Sequence, residues 1–260
     1  MPLSDHKRSL TVFANNHLNG DPDHDYHITL KLEHSLRVLK NARIILEGES
    51  IVGRIAQLTT QASLFHDIGR FPQYARYGTF KDADSINHGR LGVLTLRNQE
   101  FPRGFSAKDQ RLIRAAVGLH NVKEIRKDTP EPLATMAHVV RDADRIDIFS
   151  IILDHLDPTA ESKPVVIHSL IHDPQHYSEE VYQTVLAEKT GDYGHLRYSN
   201  DFILLLIGWL FVLKYSTSVR LIAERGLIEQ AFSILPKDDK ILTLKDKSHA
   251  FMRYKIERTP

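Results

Sequence analysis

The chain reads as an all-α protein, and three observations lead there. Apolar residues recur at three- and four-residue spacing along most of the chain, the period of an amphipathic helix. No convincing pair of alternating strands and no internal repeat is visible. Between the periodic segments lie short runs of Gly, Pro, Asp and Ser, residues that start and stop helices.

Taken in order, a polar start leads to Asp21-Pro22-Asp23-His24-Asp25-Tyr26-His27, which reads as a capping loop. From Ile28 to Leu46 the apolar positions Leu30, Leu32, Leu36, Val38, Leu39, Ala42, Ile45 and Leu46 follow a mostly helical spacing, with His34 in their midst. A second helix begins after Glu47-Gly48-Glu49-Ser50 and carries Ile51, Val52, Ile55, Ala56, Leu58, Ala62, Leu64 and Phe65 to the adjacent pair His66-Asp67. Gly69 is expected to stop it. Residues 71–87 have no sustained period and hold Pro72 and Gly78, so a loop of the kind that meets substrate is expected there.

His88 opens the next helix with Leu91, Val93, Leu94 and Leu96. A turn at Phe101-Pro102-Arg103-Gly104 leads into a helix capped by Ser106, with Asp109 three residues on. That helix buries Leu112, Ile113, Ala116 and Val117 and ends at Leu119-His120-Asn121. Beyond Pro130 and Pro132, the stretch from Leu133 to Leu153 is the longest uninterrupted helical pattern of this half.

Past Asp157-Pro158 the composition is polar and irregular until about Glu179, which leaves linker, lid and outer edge of the same domain all open. The tail is helical again, and Phe202 to Leu213 contains no polar residue. Twelve residues span about 18 Å as a helix, short of the ~30 Å hydrocarbon core, so a buried helix is expected, with Trp209 in the core. The expected organisation is a helical core over 1–158 and a helical extension over 159–260. The extension packs on the core and shapes the pocket entrance, or it forms a homodimer interface; the sequence leaves both open.

Composition narrows the function classes. With 34 basic and 33 acidic residues the net charge is +1, which gives no electrostatic case for nucleic acid or an anionic membrane as partner. There is no cysteine, so a metal must sit on histidine and carboxylate. The first residues lack the apolar run of a signal peptide, which points to a cytoplasmic protein. No nucleophile elbow and no phosphate-cradling glycine loop is present.

Among 15 histidines, position selects the informative ones. His34, His66-Asp67, His88, His120 and Asp144 fall in order on successive segments whose apolar faces must pack together. Any one of them alone reads as a cap, a salt bridge or a buried ring with a satisfied partner; their succession reads as a metal site. Imidazoles with carboxylates suit Mn, Fe, Co, Ni or Zn better than Ca or Mg. Asp142 and Asp144 stand about 200° apart on a helix, so only one of them faces such a site.

The order H…HD…H…H…D, in the contexts Leu32-Glu33-His34-Ser35, Leu64-Phe65-His66-Asp67-Ile68-Gly69-Arg70, Asn87-His88-Gly89-Arg90 and Asp142-Ala143-Asp144-Arg145-Ile146-Asp147, resembles the HD-domain superfamily of metal-dependent phosphohydrolases over about residues 24–155. The resemblance implies a helical bundle with the site at its centre. It selects Asp144 over Asp142, and through His88 and His120 it implies two divalent transition-metal ions. Asp67 would bridge them, with His34, His66 and Asp144 on one ion and His88 and His120 on the other. It further implies hydrolysis of a phosphorylated small molecule such as a nucleotide, with Arg70 the first choice for a phosphate contact. Arg145 and Arg90 follow, then Lys81. Asp147 is open between a carboxylate facing substrate and a salt bridge with Arg141 or Arg145, and His24, His27 and His138 are not expected to ligate.

Members with the same six ligands also include di-iron oxygenases acting on an inositol or an organophosphonate, and a metal-binding regulatory module is a third reading. The segment after His120, Asn121-Val122-Lys123, departs from the Gly-Tyr-Pro signature of cyclic-di-GMP phosphodiesterases. Ile68 to Pro72 lacks the acidic residues of the ppGpp hydrolases and differs from the deoxynucleotide triphosphohydrolases. A dinucleoside tetraphosphate hydrolase shares the six-ligand pattern, although the tail of this chain has no counterpart there.

Overall fold

A computed structural model describes residues 1–156 and 170–257. Within them the chain forms twelve α-helices and two short 3₁₀ turns; the only β feature is an isolated bridge between Ile171 and Tyr198. The all-α expectation therefore holds. Two compact units divide the chain, Met1–Asp144 and Arg145–Pro260. The boundary expected near residue 158 lies outside the described residues.

In the first unit, α1 (Leu3–Asn15) was not expected from the polar start. His6, Leu10 and Ala14 fall at four-residue intervals on its buried face, a period that the flanking charges obscure. The helix α2 (Pro22–Gly48) runs for about 40 Å. It begins six residues before the apolar pattern and takes in most of the expected capping loop, because Asp21 caps it by accepting from His24 N–H and Pro22 occupies a first-turn position that needs no donor. The next helix, α3 (Gly53–Phe65), ends directly before His66.

A helix also stands where a loop was expected, α4 (Arg70–Tyr77). Pro72 lies in its first turn, where a missing N–H costs nothing, and Gly78 ends it in the left-handed region at φ +63°. Phe71 and Tyr74 bury one side of this single amphipathic stretch, which is too short to show a period. The helices α5 (His88–Asn98), α6 (Ala107–Leu119) and α7 (Leu133–Leu156) follow the sequence pattern, with caps from Asn87 and Ser106 on the first two.

Among these, α2 packs on α1, α3 and α4, and α6 on α3 and α5. Leu39, Leu58, Leu64, Phe65, Phe71, Ile113, Val117 and Val140 form the shared core.

In the second unit come α8 (Glu179–Leu186), α9 (Ser199–Leu210), α10 (Ser216–Glu224), α11 (Leu227–Ile234) and α12 (Asp239–Glu257). Every residue of α9 is buried, and Trp209, 8 % exposed, lies in the core as expected. The Asp201 carboxylate accepts from the Ser178, Arg197 and Tyr198 backbones and the Ser178 hydroxyl, which pins the start of α9. Among the described residues no helix is long and apolar enough to cross a membrane.

Candidate metal centre

The six side chains singled out by the sequence form two groups of three in the first unit, His34 with His66 and Asp144, and Asp67 with His88 and His120. In the first group His34 Nε2 lies 3.2 Å from His66 Nε2, and Asp144 Oδ1 lies 3.1 Å and 3.5 Å from those two nitrogens. In the second, His88 Nε2 and His120 Nε2 are 3.0 Å apart. Asp67 faces both. Its Oδ2 lies 3.5 Å from His34 Nε2 and 3.8 Å from His66 Nε2, while its Oδ1 lies 3.6 Å from His88 Nε2 and 3.5 Å from His120 Nε2.

The outer ring nitrogens fix which way the imidazoles point. His66 Nδ1 donates to the Ser63 carbonyl at 2.9 Å, His120 Nδ1 to the Val117 carbonyl at 2.6 Å, and His88 Nδ1 to the Asp82 carboxylate at 2.7 Å. Carbonyls and carboxylates only accept, so the proton sits on Nδ1 and each Nε2 turns a lone pair inwards. Two such lone pairs 3.0 Å apart repel unless a cation or proton is shared between them. Asp144 Oδ1 is buried without a hydrogen bond. Converging nitrogen lone pairs beside an unbonded carboxylate oxygen are a donor set that fits a metal of the Mn-to-Zn series.

The charges agree with that fit. Burial would raise Asp67, but Lys31, His66, His120 and Arg70 outweigh it and hold the carboxyl well below the usual carboxylate range. Asp144 is held low against its burial by His34 and His66. Burial lowers His88 to about 4, only partly opposed by Asp82, so the ring is neutral near pH 7. Ionised carboxylates and a neutral imidazole are the forms that bind metals.

Close backbone approach brings the two groups together. Gly69 does not end a helix in a left-handed turn; it is helical at φ −68°. A Cβ there would lie 2.3 Å from the His88 carbonyl oxygen and 2.5 Å from the Gly92 nitrogen, so only glycine lets the His66-Asp67 turn abut α5. At Gly89 a Cβ would meet Asn121 Oδ1 at 2.5 Å.

Around the six stand residues that the sequence reading missed. Lys31, one turn before His34, places Nζ 3.0 Å from Asp67 Oδ2 and 5.3 Å from the Phe80 ring centre. Arg141, one turn before Asp144, donates from its guanidinium to the carbonyls of Leu119, His120, Val122 and Lys123 and so holds the turn that carries His120. Their three-residue spacing from a ligand was the available signal. Asp82, in a segment without period, offered none.

The remaining predicted residues are placed as follows. Arg70 Nε lies 3.5 Å from Asp67 Oδ1, while its Nη1 bonds Gln73, Asp82 and the Phe80 carbonyl. Arg145 follows Asp144 on α7 and is half-buried, and Arg90 is exposed. Lys81 is exposed and pairs with Asp84 at 2.9 Å. Asp142 is buried outside both groups, and the charge of buried Asp147 acts on Arg225. His24 and His27 bond the carbonyls of His17 and Asp23, and neither they nor His138 join a ligand group.

A family profile described as the HD domain matches residues 32–159, a span that contains all six residues. The chain belongs to the HD-domain superfamily. Its class is therefore that of the HD-domain metal-dependent phosphohydrolases, with a metal-binding architecture consistent with hydrolysis. The HD domain is the helical core, and α8 to α12 are further C-terminal helices. No curated protein and no solved structure matches the chain.

Proposed function

We propose that this HD domain is a two-metal phosphohydrolase that cleaves a phosphate ester or anhydride of a nucleotide or small phosphorylated metabolite. The observation that carries the reading is Asp67, which turns one carboxylate oxygen towards each histidine pair. On this reading His34, His66 and Asp144 would hold one ion and His88 and His120 the other, with Asp67 offering one carboxylate oxygen to each group. Divalent transition-metal ions bound there would supply an activated water and charge neutralisation at phosphorus.

The chain's own side chains do the rest. Lys31 and Arg70 stand on opposite oxygens of Asp67 with side chains 17 % and 15 % exposed, and both offer positive charge to phosphate oxygens approaching that edge. Arg70 contributes its Nε edge, since Nη1 is bonded to the following loop. Half-buried Phe80 lies within 6 Å of both cations and keeps water from the same edge. Arg145, next to Asp144, is a further candidate phosphate contact. Residues 1–158 serve as the metal-binding core and 159–260 as its extension.

Elemental analysis together with phosphate release from a panel of nucleotides and phosphomonoesters, with and without Mn²⁺, tests the reading. About two metals per chain and Mn²⁺-stimulated release are expected. Lys31→Met should raise KM on the order of tenfold or more while the metal content stays unchanged. Two irons with oxygen uptake and no phosphate release would overturn the assignment in favour of oxygenase chemistry.

A further inference from the structure

His88 is placed differently from the other ligand histidines. His66 and His120 end α3 and α6, so each Nδ1 reaches back to a carbonyl three residues earlier in its own chain segment. His88 is the first residue of α5 and has no preceding turn of helix to reach. Its ring must be fixed from outside.

We infer that Asp82 is the positioning residue for His88, and that Arg70 and Gln73 hold Asp82 in place for that task. Both Asp82 oxygens lie on the His88 ring, at 2.8 Å and 2.7 Å from Nδ1, and Oδ2 also accepts from the His88 backbone N–H at 3.3 Å. The carboxylate thereby sets the tautomer and the plane of the ring, so that Nε2 faces Asp67 and His120. Asp82 is itself bonded on its remaining sides. Arg70 Nη1 reaches Oδ1 at 3.1 Å, Gln73 Nε2 reaches Oδ1 at 2.9 Å, and Asn121 Nδ2 reaches Oδ2 at 3.4 Å. Gln73, fully buried on α4, also bonds the Ser85 hydroxyl and the Ile86 carbonyl at 2.9 Å each, which closes the 79–87 loop against α4. Without this loop the His88 imidazole has two free torsions and no acceptor for Nδ1.

The inference rests on the two-metal reading, and one experiment separates the two. Mn²⁺ titrations followed by electron paramagnetic resonance would compare the full-length protein with Asp82→Ala, Asp82→Asn and His88→Ala, each checked for native helix content by circular dichroism. The parent is expected to bind two ions. Asp82→Ala should keep one ion at parental affinity and bind the second about 10–100-fold more weakly, a smaller loss than that expected of His88→Ala; Asp82→Asn, which still accepts a hydrogen bond, should fall between Asp82→Ala and the parent. Two ions bound by Asp82→Ala or Asp82→Asn with parental affinities would overturn the role of Asp82 and leave the two-metal site intact. Fewer than two ions on the parent would overturn the two-metal reading itself. An even loss at both sites in the Asp82 variants would show a structural role only and overturn the inference.

Discussion

His34 and Asp144 project from the interiors of α2 and α7, whereas His88 and His120 stand where α5 begins and α6 ends. A ligand inside a helix inherits its position from the backbone ladder on either side, and only its rotamer is left to fix. Asn41 adds to this by donating to the Ala143 carbonyl at 3.1 Å, which ties α2 to α7 beside Asp144. A ligand at a helix end has backbone support on one side only. The second group accordingly depends on two arginines: Arg70, which flanks Asp67 and also acts through the loop that carries Asp82, and Arg141, through the carbonyls around His120. Two of the three ligands in the first group are thus set by helix interiors, with His66 alone at a helix end, whereas both histidines of the second stand at helix ends, and the second should be the easier to lose alone.

The largest effect expected from this difference is an asymmetry between ligand variants. His34→Ala should remove the helix-borne ion together with its neighbour and reduce activity on the order of 10³-fold. His120→Ala should leave that ion bound and remove only its neighbour. Metal-to-protein ratios of the purified variants check this, and equal losses in both would erase the distinction between the groups.

Arg141→Met sharpens the comparison at a point that touches no proposed ion. Loss of the guanidinium leaves the carbonyls of Leu119 to Lys123 short of a donor, at a cost of about 1–3 kcal/mol in urea unfolding. The expected consequence for metal binding is about a tenfold weaker second ion and an unchanged first one. Weakening of the first ion by the same factor would count against separate support.

Acid should act in a defined direction. His88 titrates at about 4 in the folded chain against 6.5 without the fold, so between those values the unfolded chain takes up a proton that the folded chain refuses. Stability is therefore whole above about pH 6.5 and declines towards pH 4 by up to ~3 kcal/mol from this group. Asp82, lowered from 3.8 to about 2, adds a loss only below that range, as the pH falls from 3.8 towards 2. Urea midpoints of chelator-treated protein at pH 7, 5 and 4 measure the decline, and His88→Gln should flatten it. A flat parental curve would mean that His88 is solvated and not held as described.

Along the chain, legibility followed length and period. The helices α2, α3, α5, α6, α7 and α9 carry enough turns for an apolar stripe to show, and the caps at Ser106 and Asp21 mark where two of them begin. The eight-residue α4 was missed because two turns give too few apolar positions to define a face, and α1 because the charges flanking His6, Leu10 and Ala14 obscure their period. Gly69 was read for backbone freedom when its role is the close approach of α5, and nothing local distinguishes the two.

The sequence by itself determined the all-α class, the order of the six ligand residue types and, through the absence of cysteine, the nitrogen and oxygen chemistry of the site. These follow from local periodicity and from what each side chain can donate. Tertiary structure alone decided that Asp67 divides its two oxygens between the histidine pairs, that Lys31 lies against it, that Asp82 rather than a neighbouring carbonyl orients His88, and that Arg141 holds the His120 turn. Those contacts depend on which helix faces cross and how closely glycine lets them approach, and a distance between segments separated by dozens of residues is not written in the spacing of either one.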